Sequence, residues 1–205
     1  MAKILITGGT GLIGNKLTQL LIENNHEVVI LSREPSKKNE FKWDISEGSI
    51  DEKALINVDY IIHLAGAGVA DKRWSKARKQ EILDSRTKSS ALLVKALAET
   101  PNKVKAVISA SAIGWYGPDQ NSHSNNAHNK DLVTKGFVET DPSYPDFLGT
   151  TCAAWEASIA PVTANTNGLQ KRLVCLRTGI VLSKNGGALK EFLKPLAVRM
   201  AAVLG

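Results

Sequence analysis

Ser109, Ser111 and Tyr116 stand close together and are the residues best suited to handle a small polar substrate. A hydroxyl at the edge of a sheet can hold a substrate oxygen in place while a hydride moves, and a phenol can donate a proton to it. The competing readings are that the hydroxyls cap a turn and that Tyr116 walls a pocket. Ser111 is the candidate to position the substrate and Tyr116 the candidate proton donor. A second set carries binding chemistry. Gly8, Gly11 and Gly14 fall at three-residue intervals, with Thr10, Leu12 and Ile13 between them. Side chains on such a turn would keep a pyrophosphate from the backbone, and glycine removes that obstacle.

These residues need particular elements to place them. The apolar run Ile4-Leu5-Ile6 reads as a buried parallel strand. Leu12, Ile13, Leu17, Leu20 and Leu21 follow at helical spacing. The glycines therefore sit where a strand turns into a helix, whose unpaired N–H groups and positive dipole end suit a phosphate. Gly8, Thr10, Gly11, Leu12, Ile13 and Gly14 are the expected cofactor loop. The second strand, Val28 to Leu31, ends in Ser32-Arg33. An acid there would serve the ribose hydroxyls of NAD, whereas an arginine fork suits a 2′-phosphate. The expected cofactor is NADP rather than NAD, with Ser32 and Arg33 in the site. Two alternatives stand beside this: Arg33 as a solvated loop charge, and Glu34 brought to the ribose by a shift of one residue. Asp44 would accept from the adenine amino group or serve as a turn residue. Leu64, Ala65 and Gly66 end another strand in small residues, against which a nucleotide could lie. His63 reads as a packed strand residue rather than a catalyst.

Strands and helices alternate along the chain. Phe41 to Trp43, Tyr60 to Leu64, Ala106 to Ser109 and Leu173 to Arg177 read as further strands; Ser75 to Thr100 and Asp146 to Ile159 read as helices. The expected fold class is α/β, a Rossmann-type doubly wound parallel sheet with helices on both faces, spanning residues 1–185. Residues 117–145, rich in Asn, Ser, His, Asp and Pro, read as a mobile polar excursion over the site's edge. Gly186-Gly187 is expected to open a helix through Ala201. Its apolar residues imply cover from a continuation of the chain or from a partner copy, so 186–205 reads as the start of a truncated substrate-side segment, and a homo-oligomer is an expectation.

Bulk properties exclude several classes. The 205 residues, 43% hydrophobic and 22% charged, suit an ordinary globular domain. No apolar run approaches the roughly 20 residues of a membrane span, and the N-terminus enters a strand without a signal peptide. Cys152 and Cys175 have no metal-ligand spacing, which fits free thiols in a cytoplasmic protein. The net charge of +6 is scattered and shows no basic-aromatic pattern, so no nucleic acid is expected, only a small-molecule substrate.

The Thr7 to Gly14 loop resembles the epimerase-like branch of the short-chain dehydrogenases. His63 to Gly68, Lys72 to Ser75, Ser85-Arg86, Ser109 to Gly114, Tyr116-Gly117, Asp146 to Leu148, Trp155-Glu156 and Leu176 to Leu182 resemble its atypical family. The resemblance covers essentially the whole chain. It implies a Rossmann fold, a nicotinamide dinucleotide and oxidoreductase or sugar-nucleotide epimerase chemistry, in members longer than this chain. The wider superfamily uses a Tyr with a Lys four residues later, whose charge lowers the phenol's pKa. Leu148 and Cys152 stand at those positions. A protein that binds NADPH without catalysis is therefore the alternative. Tyr116, Tyr144 and Glu139 are the residues left to substitute. Arg86 and Arg177 are candidates for an anionic group, with surface ion pairing as the other reading.

Overall fold

The structure, a computed structural model, describes residues 1–118, 136–166, 169–187 and 189. Seven strands form one sheet: β1 (Lys3–Thr7), β2 (Glu27–Ser32), β3 (Glu40–Asp44), β4 (Ser49–Ile50), β5 (Tyr60–His63), β6 (Ala106–Ala112) and β7 (Arg172–Thr178). Their order is β4-β3-β2-β1-β5-β6-β7, and every neighbouring pair is parallel except the short β3–β4 edge. From β1 the chain winds outward through β2 and β3; from β5 it winds the other way. The sheet is the expected Rossmann-type fold, and its direction reverses between β1 and β5, where such sheets open a crevice at their carboxyl edge.

Among the described residues, three α-helices pack on it. In α1 (Leu12–Glu23), Leu17 and Leu21 cover Ile4, Ile6, Val28 and Ile30. On the other face, α2 (Lys76–Glu99) and α3 (Phe147–Ile159) bury Leu92, Leu93, Leu97 and Ile159 with Leu5, Ile61 and Val107. Two of these helices are capped by side chains: Ser75 and Asp146 accept from Arg78 N and Gly149 N. Along β5 and β6 burial alternates strictly. Ile61, His63, Val107, Ser109 and Ser111 are buried toward α2 and α3, while Ile62, Ile108 and Ala110 on α1's side are half-buried. Among the described residues, α1 is the only helix on that face, and it lies over β1 and β2.

Two expectations are corrected. β6 does not stop at Ser109. Pairing of Ala110, Ser111 and Ala112 with Leu176, Arg177 and Thr178 carries it on, so Ser109 and Ser111 are strand residues on one buried face and do not cap a turn. Gly186-Gly187 is β9, a two-residue strand pairing antiparallel with β8 (Leu182–Ser183), rather than the first turn of a helix; Leu189, just after it, is helical. Gly187 has φ 73°, a left-handed conformation that suits glycine and ends the hairpin. Most of the polar excursion and nearly all of the terminal segment lie outside the described residues.

Candidate functional site

The glycine loop is built by close packing. Gly8 adopts φ 71°, and a Cβ there would sit 3.0 Å from the backbone carbonyl of Leu64. A Cβ on Gly14 would lie 2.2 Å from the Gly8 oxygen, so the first turn of α1 rests directly on the loop. Gly11 N–H donates to Gly8 O at 3.0 Å and Asn15 Nδ2 donates to Thr10 O at 2.7 Å, which fixes the turn. Gly11 is the N-cap of α1 and offers no side-chain acceptor. The N–H groups of Leu12, Ile13 and Gly14 thus have no acceptor within the helix, the arrangement that suits a helix N-terminus to an anion. The β8–β9 hairpin returns to this loop, with Gly186 beside the Leu12 side chain.

Leu64 and Ala65, sixty residues away in sequence, are locked to the same loop. The Thr7 hydroxyl accepts from Leu64 N and Ala65 N, both at 3.2 Å, and meets His63 Nδ1 at 2.7 Å. With its lone pairs taken, the hydroxyl donates its proton to Nδ1. The histidine then carries its own proton on Nε2, 3.1 Å from Ser90 Oγ. Burial pulls the pKa of His63 down to about 4, so the ring is neutral and structural, in keeping with its reading as a packed residue. Gly66 is exposed beyond Ala65. The next residues are held by α2: Ser85 Oγ accepts from Ala67 N at 3.0 Å, Arg86 donates to Ala67 O at 3.0 Å, and Arg78 donates to Gly68 O.

At the end of β2, Ser32 Oγ accepts from Glu34 N at 3.2 Å, and the side chains of Arg33 and Glu34 are exposed. Asp44 is a turn residue: its Oδ1 accepts from Ser46 N, Ser46 Oγ and Glu47 N, bonds that hold its carboxyl below the usual range. That carboxylate oxygen is spent within the turn.

A second cluster lies at the carboxyl ends of β6 and β7. Ser111 is 2% exposed and donates to Glu156 Oε1 at 2.6 Å. Arg177, paired across the strands with Ser111, donates to Glu156 through Nε at 2.9 Å and Nη2 at 3.0 Å. Its remaining nitrogen, Nη1, donates to Tyr116 Oη and to Glu139 O, both at 3.0 Å. The guanidinium lies 3.6 Å from the centre of the Trp115 ring. The bonds to Glu156 push its pKa above the ordinary arginine value. Arg177 is therefore an internal clamp, neither a surface pair nor an open anion site. Arg86 is likewise engaged, on Ala67 and Ile82 carbonyls and over the Trp155 ring at 4.9 Å. Tyr116 stacks on Phe137, 5.0 Å between centres.

Leu148, Cys152 and Glu156 follow one another at four-residue steps on α3. Leu148 and Cys152 face Gly114, just past β6. Cys152 is buried, and burial pushes its thiol pKa up, so it offers no thiolate at neutral pH. Sequence reasoning missed Glu156 as the hub and Thr7 as the tie. The sequence marked Glu156 only as a carboxylate one turn beyond Cys152.

A family model described as the NAD dependent epimerase/dehydratase family matches residues 4–136. The chain is 36% identical over 205 residues to the epimerase family protein Mb2239 of Mycobacterium bovis, covering 100% of this chain and 62% of that one. Among solved structures, it resembles human epimerase family protein SDR39U1 with NADPH, at 30% identity and TM-score 0.77, covering 99% of this chain and 62% of that one. The nucleoside-diphosphate sugar epimerase of Corynebacterium glutamicum gives TM-score 0.76 at 29% identity, over 100% of this chain and 39% of that one. This chain thus spans under two thirds of the length of each of these relatives. Among the described residues, no helix is long and apolar enough to cross a membrane.

Proposed function

The chain belongs to the NAD dependent epimerase/dehydratase family, and on that premise we propose that it binds NADP along the carboxyl edge of the sheet and acts there as an oxidoreductase or epimerase. The substrate class is a small polar or nucleotide-linked molecule, in a cytoplasmic setting, with no nucleic acid or membrane partner. The observation that carries this reading is the cradle itself. The first turn of α1, which has no side-chain cap, packs through Gly14 directly on Gly8, and Gly8 in turn packs on the Leu64 backbone, so the loop has no room for side chains at these positions. The solved relative with NADPH bound supports the cofactor choice.

In this reading the N–H groups of Leu12, Ile13 and Gly14 hold the pyrophosphate. Arg33, exposed at the end of β2, takes a 2′-phosphate, and the Leu64–Gly66 backbone supports the dinucleotide across the crevice. Strands β1, β5 and β6 are successive neighbours about 4.8 Å apart, so Tyr116, just past β6, would stand within reach of a dinucleotide held at the glycine loop. Bound there, the nicotinamide supplies or accepts the hydride. Tyr116 donates the proton, and Ser111 acts through Glu156 rather than through an open hydroxyl.

Side-by-side calorimetric titration with NADPH and NADH tests the proposal. Tighter NADPH binding that weakens about tenfold in Arg33→Ala, the loss of one charge-assisted phosphate contact, is the expected result; no binding of either nucleotide would sink it. A second reading, a protein that senses or carries NADPH without catalysis, is favoured by Leu148 and Cys152 on the face of α3 beside β6. Nucleotide binding with no substrate-dependent turnover in any member of a carbonyl and nucleotide-sugar panel would select it.

A further inference from the structure

We infer that Arg177, fixed by Glu156, is the positioning residue that makes Tyr116 the proton-transfer group of this site by holding the phenol oxygen and turning its proton outward. The inference rests on the proposed dinucleotide site and adds a partner that neither the family description nor the relatives' names assign.

Arginine has five N–H donors and no acceptor. Three of its nitrogens are spoken for: Nε and Nη2 grip both oxygens of Glu156 at 2.9 and 3.0 Å, and Nη1 reaches Tyr116 Oη at 3.0 Å. The bond to Tyr116 uses a phenol lone pair. Because the guanidinium cannot accept, the phenol proton must point away from it. The clamp is rigid: Ser111 braces Glu156 at 2.6 Å from beneath, and Trp115 supports the guanidinium face at 3.6 Å. A phenol held this way is aimed as a donor, and the oxygen left after transfer already has a charged N–H on it.

The step balances. As the carbonyl carbon of a substrate gains a hydride from the reduced dinucleotide, the Tyr116 O–H bond breaks and its proton goes to the carbonyl oxygen. The electron pair stays on Oη beside Arg177 Nη1, and water returns the proton afterwards. Arg177 gives up no proton and acts only through its hydrogen bond to Tyr116 Oη. Leu148 and Cys152 lie on α3 near the same strand end but contribute neither a proton nor a charge.

An aryl fluorosulfate probe tests the pair without needing the substrate, because it reacts fastest with tyrosine oxygens flanked by a cation. Labelling rates at Tyr60, Tyr116 and Tyr144 are read by peptide mass spectrometry, with and without saturating NADPH. Tyr116 is expected to label fastest and to slow when NADPH is bound. Its rate should fall about tenfold in Arg177→Met, the factor that losing one charge-assisted hydrogen bond gives, and recover in part in Arg177→Lys. The double variant Arg177→Met/Glu156→Gln removes the stranded carboxylate and guards against misfolding; it should label as slowly as Arg177→Met. Equal Tyr116 rates in the wild type and that double variant would overturn the inference. So would NADPH that binds yet leaves Tyr116 labelling unchanged. Absence of NADPH binding in the wild type would instead fail the proposed function, while the dependence on Arg177 still decides the pair.

Discussion

At the scale of single residues, the cofactor edge depends on groups that never face solvent. Thr7 spends its hydroxyl on two backbone N–H groups and on His63, and so ties the glycine loop to the end of β5. His63 is fully buried with a pKa near 4, against about 6.5 in an unfolded chain. Between those values the unfolded chain binds the proton and the native one does not. Stability therefore rises with pH from about 4 to about 6.5, by about 3 kcal/mol in all for this group. Urea midpoints across that window should show the slope, and His63→Gln should flatten it. Gly14 is the other decisive residue. A Cβ 2.2 Å from Gly8 O forces α1 off the loop, so Gly14→Ala should cost about 1–3 kcal/mol in chemical denaturation and weaken NADPH binding in the same protein.

At the scale of elements, the strands carry two different faces. Ile61 and Ile62 are neighbours of one residue type on β5, yet Ile61 is 0% exposed in the main core and Ile62 is half-buried on α1's side. Ile61→Ala should cost about 3–4 kcal/mol and Ile62→Ala roughly half that, because a half-open site loses less transfer energy and leaves less cavity. Equal losses, measured by urea unfolding, would mean that both faces are equally covered in solution. The same alternation explains why Ser109 and Ser111 are buried. β6 runs on to Ala112 because β7 supplies pairing partners as far as Thr178, and period two then fixes their direction. A sequence window reads Ser109-Ala110-Ser111 as small and polar, hence as a strand end; the ladder that extends it belongs to Leu176, Arg177 and Thr178, far along the chain.

At the scale of the whole molecule, the reversal of strand order between β1 and β5 gathers four distant segments at one edge: the glycine loop, the end of β2, Leu64 to Gly66, and the end of β6. A ligand lying across them stabilises the fold by mass action. At one hundred times its dissociation constant NADPH should add about 2.7 kcal/mol, which for a chain of this size raises Tm by about 5–10 °C. Scanning calorimetry with equal concentrations of NADPH and NADH should show the larger rise with NADPH, and Arg33→Ala should abolish the difference.

The sequence by itself determined the alternation of strands and helices, the parallel sheet and the tight glycine turn between β1 and α1. These follow from local rules: apolar runs, helical spacing, and glycines where a side chain has no room. What only the tertiary structure decided was which polar groups face one another. Glu156 reads as an ordinary helix carboxylate and Arg177 as a strand-end cation until β6, β7 and α3 bring Ser111, Glu156, Arg177 and Tyr116 into one chain of hydrogen bonds. Hydrogen bonds act over about 3 Å, and no local pattern encodes a distance between residues separated by tens of positions. That distance is set when the sheet closes its pairings and α3 docks on them.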